Sequence, residues 1–409
     1  MSALAAVQAK RDAILKGAAA HQDDIVRFLR DLIAIPAESC HEGPVIERIK
    51  AEMQKVGFDE IRVDKMGNIL GRVGSGKRVV MFDSHTDTVG VGDPKEWTFD
   101  PYQGKVEDGF VYGRGASDQR AGMACMVYAA KLMKDLGLLD GVTVWMCGSV
   151  EEEDSDGIAW LYILREDGIK PDGIVITEPT NLNVYRGHRG RMEIEVRVPG
   201  VSCHASAPER GVNPIYKATR IIQQVESLNP RLKDDAFLGK GTIAVTDIRA
   251  MTPSVCAVPS SATFHLDRRL TAGETKESAV AEVRALPALQ DAEVTVLQYR
   301  VQSWTGLEYG MEKYYPTWVL EPGHPLVRAG VENHRTLFGR DPVVDKWTFS
   351  TNGVATMGIM GVPTIGFGPG EEDVAHTARE RVPIAHLVTA TQFYAAFPQV
   401  FRHTLESGA

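Results

Sequence analysis

The sequence predicts an α/β fold, a mostly parallel sheet interrupted by an inserted ferredoxin-like α+β domain. Two observations carry this. Between about residues 78 and 180, short β-rich runs alternate with helical stretches, as in βαβ units around a parallel sheet. From about Arg189 the texture changes to β-α-β-β-α-β, the ferredoxin-like order, before helix and strand return after residue 300. The expected division is residues 1–187 and 301–409 for the first domain, with 188–300 inserted. A chain of 409 residues with 44% hydrophobic and 24% charged side chains can bury cores of that size.

Taken in order, MSALAAVQAKRDAILKGAAAHQDD reads as a weakly amphipathic helix interrupted by Lys10, Arg11 and Asp12, without the continuous apolar run of a signal peptide. DDIVRFLRDLIAI and PVIERIKAEMQKVGF carry apolar residues at helical spacing. RVVMFDSHTD, VTVWMCGSVE and DGIVITEPT are strands, and AGMACMVYAAKLMKDLG is the helix between the first two. In the inserted domain RMEIEVRVPG is an alternating strand, VNPIYKATRIIQQVESL a helix, and GTIAVTDIRA and SSATFHLDRRL are strands. ETKESAVAEVRAL is its second helix and AEVTVLQYRV its last strand. PLVRAGVENHRTLFG, GVPTIGFGPG and PIAHLVTATQFYAAF then return to helix, strand and helix. GRVGSGKR, Gly71 to Arg78, nearly spells a phosphate-binding loop. Arg78 stands where Ser or Thr is required and the segment joins strand to strand, so it reads as a hairpin turn.

A net charge of −9 argues against nucleic acid or an anionic membrane as the main partner, and no stretch approaches transmembrane length. Cys40, Cys125, Cys147, Cys203 and Cys256 are odd in number and scattered, as in a cytoplasmic protein with reduced thiols.

In open α/β sheets, ligands collect beyond the carboxyl ends of the strands. Three strands here end in candidate metal ligands: His85 in DSHTDTV, Glu151 and Glu152 in VEEEDSDG, and Glu178 in ITEPT. A lone strand-end His is more often structural, but His85 and Asp87 form an H-x-D pair. A metal-binding imidazole commonly needs such a carboxylate to hold its tautomer. Asp118 in GRGASDQRAG precedes a helix, so an N-cap is its plain alternative. His376 follows late, in GPGEEDVAHT. Two imidazoles and three carboxylates suit a hydrolytic two-metal site, with one acid bridging and a further acid free to act as base.

Together SHTDTV, GRGASDQRAG, EEED, TEP, CHASAPERGVNP, LDRRLTAGET and GFGPG…AHT resemble the dizinc hydrolases that include acetylornithine deacetylase, succinyl-diaminopimelate desuccinylase, aminoacylase and carboxypeptidase G. The resemblance covers nearly the whole chain, and within the family it is closest in character to the selenium-metabolism-linked hydrolases. It implies a zinc-hydrolase catalytic domain whose inserted domain serves as lid and dimerisation module. It also implies two divalent ions, zinc with cobalt or manganese as alternatives, bridged by Asp118. His85 and Glu178 would complete one coordination sphere, Glu152 and His376 the other, and Asp87 would orient His85. Glu151 would be the general base, with Glu153 merely solvated. His204 in SCHASAPE would reach the oxyanion from a partner subunit of a homodimer; a surface-loop His is its alternative. Arg269 would grip a substrate carboxylate, or else pair with Asp267 as a solvated strand residue. Gly366, Gly368 and Gly370 would let backbone approach a ligand, or simply form a turn.

The implied reaction is hydrolysis of a linear amide in a small carboxylate-bearing substrate, by water made acidic between two metals. An N-acyl or N-carbamoyl amino acid or a dipeptide would suit. Cys256-Ala257-Val258-Pro259 replaces the family's Asn-Val-x-Pro, and Thr351-Asn352 its Thr-Asp, where Asn352 is expected to touch substrate. Gln119 and Arg120 also vary from the commoner partners. These departures bear on which acyl group or amine fits. Two rivals stand beside this reading. One is a catalytically silent, metal-bound dimer acting as a scaffold, against which the complete ligand set argues. The other is a cysteine hydrolase using Cys203 and His204, whose side chains would point to opposite faces of a strand.

Overall fold

The computed structural model describes residues 3–408. A nine-stranded sheet, parallel at its centre, organises a mixed α/β fold. Arg78–His85 runs parallel to Val142–Ser149 on one side and to Gly173–Ile176 on the other, and Thr364–Gly366 extends the parallel set. These strands are apolar because both faces are covered; Val80, Met81, Phe82, Val144, Met146, Ile174 and Val175 are all buried. Helices Arg120–Asp135 and Ile384–Ser407 pack against each other and help to cover them.

Parallel direction has a direct consequence for function. His85 pairs with Ser149 and Asp83 with Ile176, so the three carboxyl ends lie side by side. The residues following each strand are therefore delivered to one edge of the sheet.

The GRVGSGKR segment differs from the expected hairpin. Ile69–Gly74 and Arg78–His85 are not neighbours, because Val142–Ser149 lies between them. The link instead crosses the start of that strand. Gly76 makes the crossing feasible, since a Cβ there would sit 1.9 Å from the carbonyl carbon of Gly141.

The inserted sheet has the order Thr242–Met251, Ser261–Leu270, Gly190–Pro199, Glu293–Val296, all antiparallel. Helices Pro214–Leu228 and Lys276–Arg284 supply Ile221, Val225 and Val283 to a small core with Met192, Ile194, Phe264 and Leu266, separate from the large one. The last strand expected at AEVTVLQYRV is in fact two. Glu293–Val296 stays in this sheet, whereas Gln298–Gln302 forms a hairpin with Glu308–Glu312 and places Tyr299 in the large core. The chain then returns through Tyr314–Tyr315, paired with Gly190–Pro199, and Trp318–Val319, paired with Val184–His188. Entry to and exit from the inserted domain thus run as one ribbon.

Arg120 ties the front of the molecule together. It is buried, and it donates to the carbonyls of Leu32, Ile35 and Thr86. Replacing it by Met strands those acceptors, so Arg120→Met is expected to lower the unfolding free energy by about 3 kcal/mol. A shifted urea midpoint at unchanged slope checks this.

Candidate metal centre and cavity

Asp118 lies at the junction of the strand ends, in the loop before helix Arg120–Asp135. Its two oxygens face two histidines. His85 Nε2 is 2.8 Å from Oδ1, and His376 Nε2 is 3.1 Å from Oδ2. Glu178, just past the end of Gly173–Ile176, brings Oε1 within 3.5 Å of His85 Nε2. Glu153 brings Oε2 to 3.0 Å from His376 Nε2. Two groups of mutually close donor atoms result: His85, Asp118 and Glu178, and Asp118, Glu153 and His376.

Each of these side chains is held from behind. His85 Nδ1 lies 3.0 Å from the Asp87 carbonyl and 3.5 Å from Asp87 Oδ1, while Asp87 Oδ2 accepts from Ser39 Oγ and from the Glu153 backbone N–H. Gln119 Nε2 donates to Glu178 Oε1 at 2.6 Å. The backbone N–H groups of Ser117 and Asp118 donate to Glu380 Oε1, whose other oxygen takes Arg114 Nη1 at 2.6 Å. Asp118 caps no helix: the residue at the N-cap is Gln119, with no side-chain capping bond.

His85 Nε2 faces carboxylate oxygens of Asp118 and Glu178, an arrangement that a proton on the ring or a bound metal ion makes favourable. Buried oxygens of Glu178, Glu152 and Asp87 have no hydrogen-bond partner. The donor set and its surplus of negative charge therefore fit two divalent ions. The charge balance shows in the titration of the groups. Hydrogen bonding to Asp118 and Glu153 raises His376 to about 10. Burial alone would lower His85, but Glu178, Asp118 and Asp87 hold it well above its usual value. Burial would raise Asp118, yet His376 and His85 keep it well below the usual carboxylate range. Burial, with Asp118 close by, pushes Glu153 up to about 7.

The three consecutive glutamates differ from expectation by one residue. Glu153, expected to be solvated, occupies the position beside His376 that was assigned to Glu152. Glu152 lines a cavity of about 320 Å³ with Asp118, Glu178, Arg191, Arg269 and His376, and its Oε1 is unpartnered. Glu151, expected to be the base, turns away: its Oε2 accepts from Tyr299 Oη at 3.2 Å, and its N–H donates to Glu42. The cause is backbone geometry. Glu151 is left-handed, with φ of 58°, so the chain reverses immediately after the strand and presents the next two side chains to the crevice. A run of identical residues hides that turn.

Other expected contacts are corrected by burial. Asn352 is buried, donating to Asp83 Oδ2 and Ser149 Oγ and accepting from the Gly157 N–H, so its capacity is spent beneath the cavity. Gly368 is a glycine because a Cβ would lie 2.1 Å from the Glu178 carbonyl oxygen; it packs against the ligand-bearing strand. Arg269 lines the cavity, but Asp267 Oδ1 and Oδ2 accept from it at 2.7 and 3.1 Å. His204 is exposed on the lid, bonded to Ser206 Oγ and not among the cavity residues of its own chain. Cys203 bonds to the Ala207 carbonyl instead of His204, which removes the cysteine-hydrolase pairing. Sequence reasoning missed Glu153, Gln119 and Glu380; the only trace of them was acid and amide character next to the recognised motifs.

Glu153→Gln and His376→Ala are each expected to halve the metal bound per chain, and Glu151→Gln to leave it unchanged. Elemental analysis of dialysed, metal-loaded protein measures this.

Comparison with known proteins gives a consistent picture. The model of Peptidase family M20/M25/M40 matches residues 81–399. Protein YgeY of Escherichia coli K12 is 54% identical over 387 residues, covering 94% of this chain and 96% of that one. A succinyl-diaminopimelate desuccinylase of Magnetococcus marinus is 28% identical over 387 residues, covering 91% and 96%. In fold, the chain resembles aminopeptidase PepT of Bacillus cereus (TM-score 0.71, 20% identity, 93% and 99% covered) and human carnosine dipeptidase 1 (0.70, 16%, 96% and 98%).

Proposed function

The chain belongs to peptidase family M20/M25/M40, and from that premise we propose that it hydrolyses a linear amide bond in a small carboxylate-bearing substrate. An N-acyl or N-carbamoyl amino acid or a dipeptide suits a cavity of about 320 Å³. The observation that carries this reading is the carboxylate of Asp118 set between His85 and His376, with Glu178 and Glu153 completing the two donor groups.

These five residues would hold two divalent ions, zinc in our reading, with cobalt or manganese as substitutes. Bound there, such ions supply Lewis acidity, lowering the pKa of water and polarising a carbonyl. Of the cavity acids that belong to neither donor group, Asp156 and Glu372 are bonded to Ser350 and Thr348, whereas Glu152 has an unpartnered oxygen. Its carboxylate takes the proton of the attacking water and returns it to the departing amide nitrogen. Asp87 keeps the His85 ring in one orientation, with Nε2 toward the site. Gln119 fixes Glu178, and Glu380 fixes the Asp118 loop, so the donors are preorganised.

His204 remains our candidate for stabilising the oxyanion, acting from the lid of a second subunit. Its exposure supports that role, as does the lid's edge strand Thr242–Met251, which presents Ile248 and Met251 to solvent, with Val255 exposed in the loop that follows. Pairing two copies through that edge would satisfy both features.

Glu152→Gln is expected to keep its metal and lose about a hundredfold or more in turnover, whereas Glu151→Gln stays within a few-fold of the parent. Rates on N-acyl, N-carbamoyl and dipeptide panels, with metal content measured alongside, test this. An unimpaired Glu152→Gln enzyme would sink the assignment. Chelation should abolish activity and added Zn²⁺, Co²⁺ or Mn²⁺ restore it.

A further inference from the structure

A hairpin that leaves the inserted domain grips the start of the glutamate run. Its first strand, Gln298–Gln302, follows closely on Glu293–Val296 of the inserted sheet, yet Tyr299 lies in the large core and Trp304 packs against it. At the hairpin tip Trp304 Nε1 donates to the Gly67 carbonyl at 3.3 Å, and Thr305 Oγ1 to the Lys65 carbonyl at 2.6 Å. The fit is close, since a Cβ on Gly67 would sit 2.0 Å from Trp304 Nε1. The segment so gripped leads into Asn68, whose Oδ1 accepts from the Val150 N–H at 3.0 Å. Tyr299 Oη donates to Glu151 Oε2 at 3.2 Å. The hairpin therefore reaches both residues between the strand Val142–Ser149 and the pair Glu152 and Glu153.

Glu151 has φ of 58°, a left-handed conformation that a residue other than Gly keeps only where its surroundings hold it. Two bonds do so here. Its N–H donates to Glu42 Oε1 at 3.0 Å, and its carboxylate accepts from Tyr299. The other carboxylate oxygen is unpartnered, so among the described residues Tyr299 is the only hydrogen-bond donor to this side chain. Without that hydroxyl a buried carboxyl group has nothing to bond, and movement relieves the cost. The movement nearest to hand is release of the reversal at Glu151, which turns the next two side chains off the crevice. Glu153 keeps a partial brace, because its N–H donates to Asp87 and its Oε1 accepts from the Val89 N–H. Glu152 has an unpartnered oxygen and no comparable tether.

We propose that Tyr299 is a positioning residue: by holding Glu151 behind the strand end, it keeps Glu152 and Glu153 in the crevice. This rests on the reading of Glu152 as the base and of Glu153 as a metal-holding acid, and it adds a residue that touches neither substrate nor metal. Glu151→Gln keeps the acceptor that Tyr299 needs, which is why that variant is expected to be mild. Glu151→Leu removes the acceptor and cuts the same link from the other side.

The test uses the full-length chain as parent, Tyr299→Phe, Glu151→Leu and the double variant, with melting temperatures recorded for each. Glu151→Leu serves if Tyr299→Phe fails to fold. The first measurement is calorimetric titration of zinc into metal-free protein. Two zinc ions in the parent, with the weaker of two resolved affinities lowered about tenfold in Tyr299→Phe and the other unchanged, support the proposal. Equal loss at both sites, or no loss at either, overturns it. The second measurement is kcat and KM at saturating zinc on the N-acyl, N-carbamoyl and dipeptide panels. A fall of about tenfold or more in kcat at unchanged KM is expected, with the double variant no worse than the poorer single one. Additive losses, or a lowered melting temperature with kcat intact, overturn it. If the parent cleaves nothing while the zinc result holds, the hydrolase reading fails and the positioning of Glu153 stands.

Discussion

A carboxylate with an imidazole on each of its oxygens is the constraint from which the rest of the site follows. Asp118 can occupy that position only if His85 and His376, nearly three hundred residues apart, are brought to opposite sides of one loop. The parallel strands deliver His85 and Glu178, and the late loop after Thr364–Gly366 delivers His376. Glu380 then clamps the loop through two backbone N–H groups, a contact made by a fully buried acid paired with Arg114. Removing solvent from so many acids is costly unless cations answer them. The fold therefore stores an electrostatic demand at one edge of its sheet, and the family's metal dependence meets that demand.

Much of this was legible in the residues. The strand runs, the helix between them and the β-α-β-β-α-β insertion follow from periodicities of 2 and 3.6, which survive in the sequence because burial enforces them. His85, Asp118, Glu178 and His376 stood out because each sits beside a turn or strand end with few other tasks. The glutamate run was less legible. Three identical side chains carry no pattern, and a single left-handed residue, Glu151, decides which of them faces the crevice. Asn352 and Gly368 were misread for a related reason: both lie in the right neighbourhood, but beneath the cavity, where hydrogen bonding and close packing account for them fully. The link at Gly76 was misread because nothing local reveals that a distant strand slips between its two neighbours.

The cavity also has a polarity that no single motif states. Its floor, at the strand ends, is acidic; its lid wall carries Arg191 and Arg269. A molecule spanning the two meets carboxylates at one end and guanidinium at the other.

The ribbon that suspends the lid gives this division mechanical meaning. Val184–His188 enters as Trp318–Val319 leaves, the two paired antiparallel, and Tyr314–Tyr315 continues the pairing into the lid. Sliding one arm past the other would break every rung of that ladder, whereas bending across its plane breaks none. The inserted domain is accordingly held at one height along a stiff strap, because backbone register locks it there.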